Sequence, residues 1–188
     1  MKIFGLLGLL LVFIQPVYAV DIADRSFAEV TTMTGYEHDL KLNGIGVRYK
    51  FFFKIYIAAL YMENTATDLN MIIESKQGKR MVMHFVYDKV EKEKLVDAWL
   101  DGFESNLGEE EYKRLEPAIK KFNALFDTVV TDDVYYLDWI PGSGTRVSLN
   151  GQEKGVIEDE SFYPALLKIW LGDEPVNEEL KQALSGAD

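Results

Sequence analysis

The sequence predicts an α+β fold, an antiparallel sheet with helices packed on it. Three observations carry this. Strand-type runs at Leu42–Met62 and Arg80–Tyr87 come first, and two stripes of helical period follow between Glu91 and Phe126. A strand meander over Asp133–Glu158 comes next, and the tail is helical again. Elements therefore arrive as strands, then helices, then strands, then helices, which argues for an antiparallel sheet with helices packed on it. At 188 residues, the chain is expected to hold one domain over residues 20–188, large enough for a core without disulfide staples.

Residues 20–36 mix small, polar and acidic side chains and read as an irregular lead-in with one short strand. Asn43-Gly44 is a hairpin-turn signal, because a type I′ turn needs positive φ at both central residues. The run after it is dense in Phe, Tyr and Ile and reads as a single strand. Alternation puts Tyr49, Phe51, Phe53, Ile55, Ile57 and Tyr61 on a core face, with Arg48, Lys50, Lys54 and Tyr56 opposite. Glu63–Gly78 is a polar connection with a short helical turn. Arg80–Tyr87 is apolar on both faces and so reads as a central strand. His84 within it reads as a packed, hydrogen-bonded side chain.

From Glu91 the period changes. Leu95, Trp99, Phe103 and Leu107 form one helical stripe; Leu115, Ile119, Phe122 and Phe126 form a second. Glu109-Glu110-Glu111 suit the positive end of the second helix. Tyr112 falls on its stripe, and Pro117 predicts a kink or a restart there. In the meander, Pro141-Gly142-Ser143-Gly144 and Asn150-Gly151 mark the turns. Ser143 sits in a hairpin turn, not a strand-to-helix elbow, and takes no catalytic role. Phe162–Leu171 is a helix ending at Gly172, followed by Pro175 and a last helix to about Leu184.

Composition removes several function classes. The net charge is −11 with no Lys/Arg run, which argues against nucleic acid and against general attraction to anionic membranes. There is no cysteine, hence no disulfide, lipidated cysteine or thiol catalysis. Two distant histidines predict no metal site. Gly44-Ile45-Gly46 lacks a third glycine opening a helix, so no nucleotide or other cofactor is expected. Lys2, the apolar run Ile3–Ile14 and Val17-Tyr18-Ala19 read as a signal peptide over residues 1–19, cleaved after Ala19, which predicts a periplasmic protein. Removing Lys2, a single positive charge, takes −11 to −12. Nothing later is long and apolar enough to span a bilayer.

The chemistry left is a cation with two phenols: Arg48, Tyr56 and Tyr112. The stretches GIGVRYKFFFKIYIAALYM, EEEYKRL, YYLDWIPGSG and LLKIWLGDEPVNEELK resemble the chalcone isomerase superfamily, most of all its bacterial exported branch. The resemblance implies a large antiparallel sheet with helices layered on one face and a ligand cleft between them. In the plant isomerases an arginine after Gly-x-Gly, a strand threonine and a helix tyrosine act on a chalcone; Arg48 and Tyr112 match the arginine and the tyrosine. Tyr56 stands where the threonine would be. Ile119 and Ile169 stand where an asparagine and a threonine would hold the substrate's distal hydroxyl. The superfamily's plant fatty-acid-binding relatives pair the arginine with a strand tyrosine, which Arg48 and Tyr56 match at a shorter interval.

Physical chemistry favours the second comparison. Burying an alkyl chain yields about 0.8 kcal/mol per methylene, while an unpaired carboxylate is costly to bury. An arginine fork answers that cost. The expectation is a non-catalytic binding protein for a fatty acid or a similar small amphiphilic carboxylate. Arg48, Tyr56 and Tyr112 would hold the head group, and Ile119 and Ile169 would line the apolar part. Two alternatives stay open: an intramolecular lyase acting on an enone through Arg48 and Tyr112, and a pocketless envelope interaction protein.

Overall fold

The computed structural model describes residues 18–187. The expected leader, residues 1–19, therefore lies outside the described residues except for Tyr18 and Ala19. Seven antiparallel strands form the main sheet: β3 (Val30–Thr31), β4 (Leu40–Lys50), β5 (Phe53–Met62), β6 (Lys79–Phe85), β9 (Val134–Ile140), β10 (Gly144–Leu149) and β11 (Gln152–Ile157). Their order is β11-β10-β9-β6-β5-β4-β3, so β6 is central, as its two apolar faces require. Two small antiparallel pairs stand apart. They are β1 (Ala19–Ile22) with β2 (Arg25–Ala28), and β7 (Lys89–Val90) with β8 (Val129–Val130).

The helices are α1 (Leu69–Glu74), α2 (Lys92–Asn106), α3 (Glu109–Asn123), α4 (Phe162–Leu171) and α5 (Glu178–Leu184). Their buried side chains share one core with Tyr56, Ala58, Leu60 and Met62 of β5. Ile57, Ala59 and Tyr61 point the other way, into a smaller core roofed by Phe27 and Met33 from the N-terminal segment. That segment holds three strands where the sequence suggested one. Its first turn uses Ala23 and Asp24 at φ 48° and 62°, without the glycine that would have announced it.

Of the two alternatives at Pro117, the restart does not occur, since α3 runs through that residue. One further expectation is corrected: the run Leu42–Met62 is not one strand preceded by a turn. Asn43 lies inside β4 as a bulge, since Leu42 pairs with Tyr61 and Gly44 with Leu60. The bulge frees its side chain, whose Nδ2 donates to the Leu184 carbonyl at 3.0 Å and whose Oδ1 accepts from the Ala66 amide at 2.7 Å. Gly44 lies directly under α5, and a Cβ there would overlap the Ala183 carbonyl oxygen. Gly46 also lies against α5, its notional Cβ falling 2.9 Å from Leu180 Cδ1. The motif is a ledge for the C-terminal helix rather than a hairpin.

On the sheet face away from the helices, Asp138 is buried between two cross-strand neighbours. Arg80 Nε and Nη2 donate to its two oxygens at 2.7 and 2.9 Å, and Arg146 Nη2 joins at 2.9 Å. The same guanidinium groups bind the Thr32 and Thr34 carbonyls at 2.9 and 2.8 Å and so tie down the lead-in. Nearby, His84 Nε2 lies 3.1 Å from Asp132 Oδ1, and its ring packs on Phe27. Lys79 is buried at the end of α1, where its Nζ donates to the Ile72 and Ile73 carbonyls at 2.8 and 2.9 Å. Burial lowers its pKa from 10.5 to about 7.

Two predictions follow from packing and burial. Gly44→Ala should destabilise by about 1–3 kcal/mol or more in urea unfolding, since backbone rather than a side-chain tip must yield. For Lys79, the folded pKa lies below the unfolded one, so the unfolded chain binds more protons between about 7 and 10.5. Stability should therefore rise with pH above about 7, by at most about 1.4 kcal/mol per unit. Urea unfolding should show that slope in the wild type and its loss in Lys79→Met.

Candidate functional site

The chain reverses at Phe51-Phe52, a two-residue turn closed by the Lys50–Phe53 pair. This reversal sets Arg48 directly opposite Tyr56. The eight-residue interval between them is therefore a hairpin's length, and the two side chains are cross-strand neighbours. The Arg48 guanidinium carbon lies 5.7 Å from the Tyr56 ring centroid. Beside this pair the ladder slips by one residue, leaving Ile55 as a bulge, a device that re-aims side chains near sites.

Tyr56 is buried, and its hydroxyl accepts a hydrogen bond from Trp170 Nε1 of α4 at 2.9 Å. Burial raises its pKa above the ordinary tyrosine value, with Arg48 and the Trp170 bond pulling the other way. The phenol is thus protonated near neutral pH. Its own proton has no acceptor among the described residues, so it remains available to a ligand. Arg48 takes part in no ion pair with a described carboxylate.

Both residues open onto a cavity of about 430 Å³ between the hairpin end of the sheet and helices α2 and α4. That lies within the range of about 300–1,000 Å³ usual for small-ligand sites. Its depth is apolar, formed by Ile55, Met83, Leu95, Trp99 and Ile169. Its rim is cationic, with Arg48, Lys50, Lys89 and Lys94, and no carboxylate among the described residues lines it. Lys89 is partnered by Glu91 at 2.7 Å. In a chain of net charge −11, this is a local reversal of sign. Trp99, buried in the wall, also keeps an indole N–H without a partner, an uncommon state for a buried donor.

Of the residues singled out in the sequence, Arg48, Tyr56 and Ile169 come together at this cavity. Tyr112 and Ile119, both on α3, do not line it. Ile119 is buried in the helix-side core. Tyr112 is only partly buried; burial and then the carboxylates of Glu104 and Glu116 raise its pKa. The sequence reading missed Trp170, Trp99 and the cationic rim. The lysines flanking Phe51–Phe53 were the available signal; the tryptophans read only as core. The expected core face also fails at its start, because Tyr49, Phe51 and Phe53 are exposed.

Phe51 carries a φ of +57°, a left-handed conformation that costs a non-glycine residue about 1–2 kcal/mol. Phe51→Asn should raise stability by on the order of 1 kcal/mol, visible as a Tm increase of about 2–4 °C in calorimetry.

Comparison with known proteins agrees with this architecture. The crystal structure of an Arabidopsis thaliana fatty-acid binding protein superposes with a TM-score of 0.71 at 14% identity, covering 90% of this chain and 96% of that one. At that identity the likeness is one of fold. No curated protein matches the sequence significantly. No helix among the described residues is long and apolar enough to cross a membrane. The family model described as chalcone isomerase-like matches residues 19–186, and the protein belongs to that family.

Proposed function

We propose that this protein binds a fatty acid or a similar small amphiphilic carboxylate without transforming it, and does so in the periplasm as a member of the family's bacterial exported branch. One observation carries the reading: an arginine with no carboxylate partner among the described residues and a phenol whose proton has no acceptor among them stand together at the mouth of an apolar cavity. A carboxylate entering there would complete the hydrogen bonding of both, and an alkyl chain would fill the space behind. The fold shared with a plant fatty-acid binding protein supports the same ligand class. Export rests on the leader pattern around Lys2 and Val17-Tyr18-Ala19.

The alternatives lose ground on geometry. An enone lyase built on Arg48 and Tyr112 would need the two side by side, and Tyr112 is not in the cavity wall. Among the described residues, the wall holds no histidine or carboxylate to serve as a general base. A pocketless protein would pair Arg48 internally and fill the cleft; the cavity, and the lack of an Arg48 ion pair among the described residues, favour binding instead.

Displacement of a fluorescent fatty acid by unlabelled fatty acids tests the reading. Arg48→Ala should weaken binding by about 10- to 100-fold, as loss of a charge-assisted hydrogen bond predicts, and Tyr56→Phe by about three- to tenfold. Tyr112→Phe should leave affinity within about twofold. Absence of saturable binding, or equal affinity in wild type and Arg48→Ala, would overturn it. Chalcone turnover that is lost in Arg48→Ala would instead favour the lyase.

A further inference from the structure

The tip of the β4–β5 hairpin places three consecutive phenylalanines in solvent. Phe51, Phe52 and Phe53 are 85%, 96% and 56% exposed, where a soluble protein usually puts polar or glycine residues. Phe51 holds its place at φ +57°, so the tip sacrifices backbone comfort that Asn or Gly would restore. Half-exposed Tyr49 and Tyr87 continue the aromatic surface, with Tyr87 packed edge-on against Phe53 at 5.6 Å. Lys50 and Lys54 flank the phenylalanines on either strand, and no acidic residue interrupts residues 48–54.

We propose that this tip is a membrane-docking element that seats the cavity mouth on a bilayer bearing anionic phospholipid. Phenyl rings inserted at the headgroup boundary, with lysines reaching back to phosphate, form the usual pattern of an interfacial anchor. The charge distribution selects this end of the molecule. The chain as a whole is acidic and repelled by an anionic surface, while Arg48, Lys50 and Lys54 make the tip attractive; Asp97, Asp101 and Glu174 line the depression that Arg48, Lys50 and Lys94 share beside the cavity, and none lies within residues 48–54.

A second copy is a poor occupant. Facing tips would oppose these same cations, and three phenylalanines at about 150–250 Å² each fall short of about 800 Å² per partner in a stable interface. The tip is also continuous with the cavity, because Phe51 and Phe53 belong to its lining. Docking would therefore put the opening against the lipid, a direct route for an amphiphile to pass without crossing water. That use of the docking rests on the function proposed above; the docking itself does not.

The test is flotation of protein purified after expression of the full chain, with vesicles of phosphatidylcholine alone or mixed equally with phosphatidylglycerol. Phe52→Asp and Lys54→Glu are suitable variants, since neither residue lines the cavity. Fatty-acid affinity in vesicle-free solution is measured in parallel. Expected are flotation with the mixed vesicles, weakened by added salt, and a loss on the order of tenfold in Phe52→Asp. Lys54→Glu should give a smaller loss, and neither variant should change fatty-acid affinity. Flotation that persists when fatty-acid binding proves absent supports docking and removes only the proposed function. No flotation of the wild type, or equal flotation of wild type and both variants, overturns the proposal. So does a dimer in sedimentation velocity that Phe52→Asp dissociates, which would assign the tip to a second copy.

Discussion

The register of the β4–β5 hairpin is the constraint on which the site depends. Side chains alternate faces along a strand, so a slip of one residue would send either Arg48 or Tyr56 to the opposite face. The turn at Phe51-Phe52 and the bulge at Ile55 together hold the two opposite each other on the helix side. The bulge at Asn43 and the ledge of Gly44 and Gly46 then fix the far end of the same hairpin against α5. Trp170 completes the arrangement from α4, its indole N–H donating to the phenol oxygen and so restricting the directions left to the O–H.

Electrostatics gives that geometry its direction. The buried carboxylate of Asp138, which serves structure, is compensated by Arg80 and Arg146. At the cavity the compensation is withheld: Arg48 faces a phenol and an apolar wall instead of a carboxylate. An uncompensated cation beside an oriented neutral donor is preorganised for an anionic head group. The apolar depth selects against small inorganic anions, which would gain nothing from it.

Much of the architecture was legible in the sequence because it follows from period and local turn chemistry. The helical stripes beginning at Leu95 and Leu115, the Asn150-Gly151 hairpin and the helix ending at Gly172 stand where local pattern puts them, although α2 stops at Asn106 and α3 at Asn123, short of Leu107 and Phe126. The failures have two physical origins: contacts distant in sequence, and turns built without glycine, as at Ala23-Asp24. Asn43-Gly44 carries a turn signature, but its partners are Ala66 and Leu184, the latter 141 positions away. Phe51-Phe52 turns the chain with neither glycine, proline nor asparagine, so nothing local announces it. Arg48 and Tyr56 could be named from motif resemblance, while their adjacency follows only from that unannounced turn. Tyr112 was named on the same grounds, yet α3 carries it away from the cavity. Trp170 offered no polar signal, because a tryptophan on a stripe of leucines reads as core.

The most direct measurement is a crystal structure of the protein grown with a saturating long-chain fatty acid. The account predicts the carboxylate within hydrogen-bonding distance of both the Arg48 guanidinium and the Tyr56 hydroxyl, with the chain running past Leu95 and Ile169 toward Trp99. A fatty acid bound elsewhere, or a cavity that stays closed while Arg48 turns to a protein carboxylate, would contradict it.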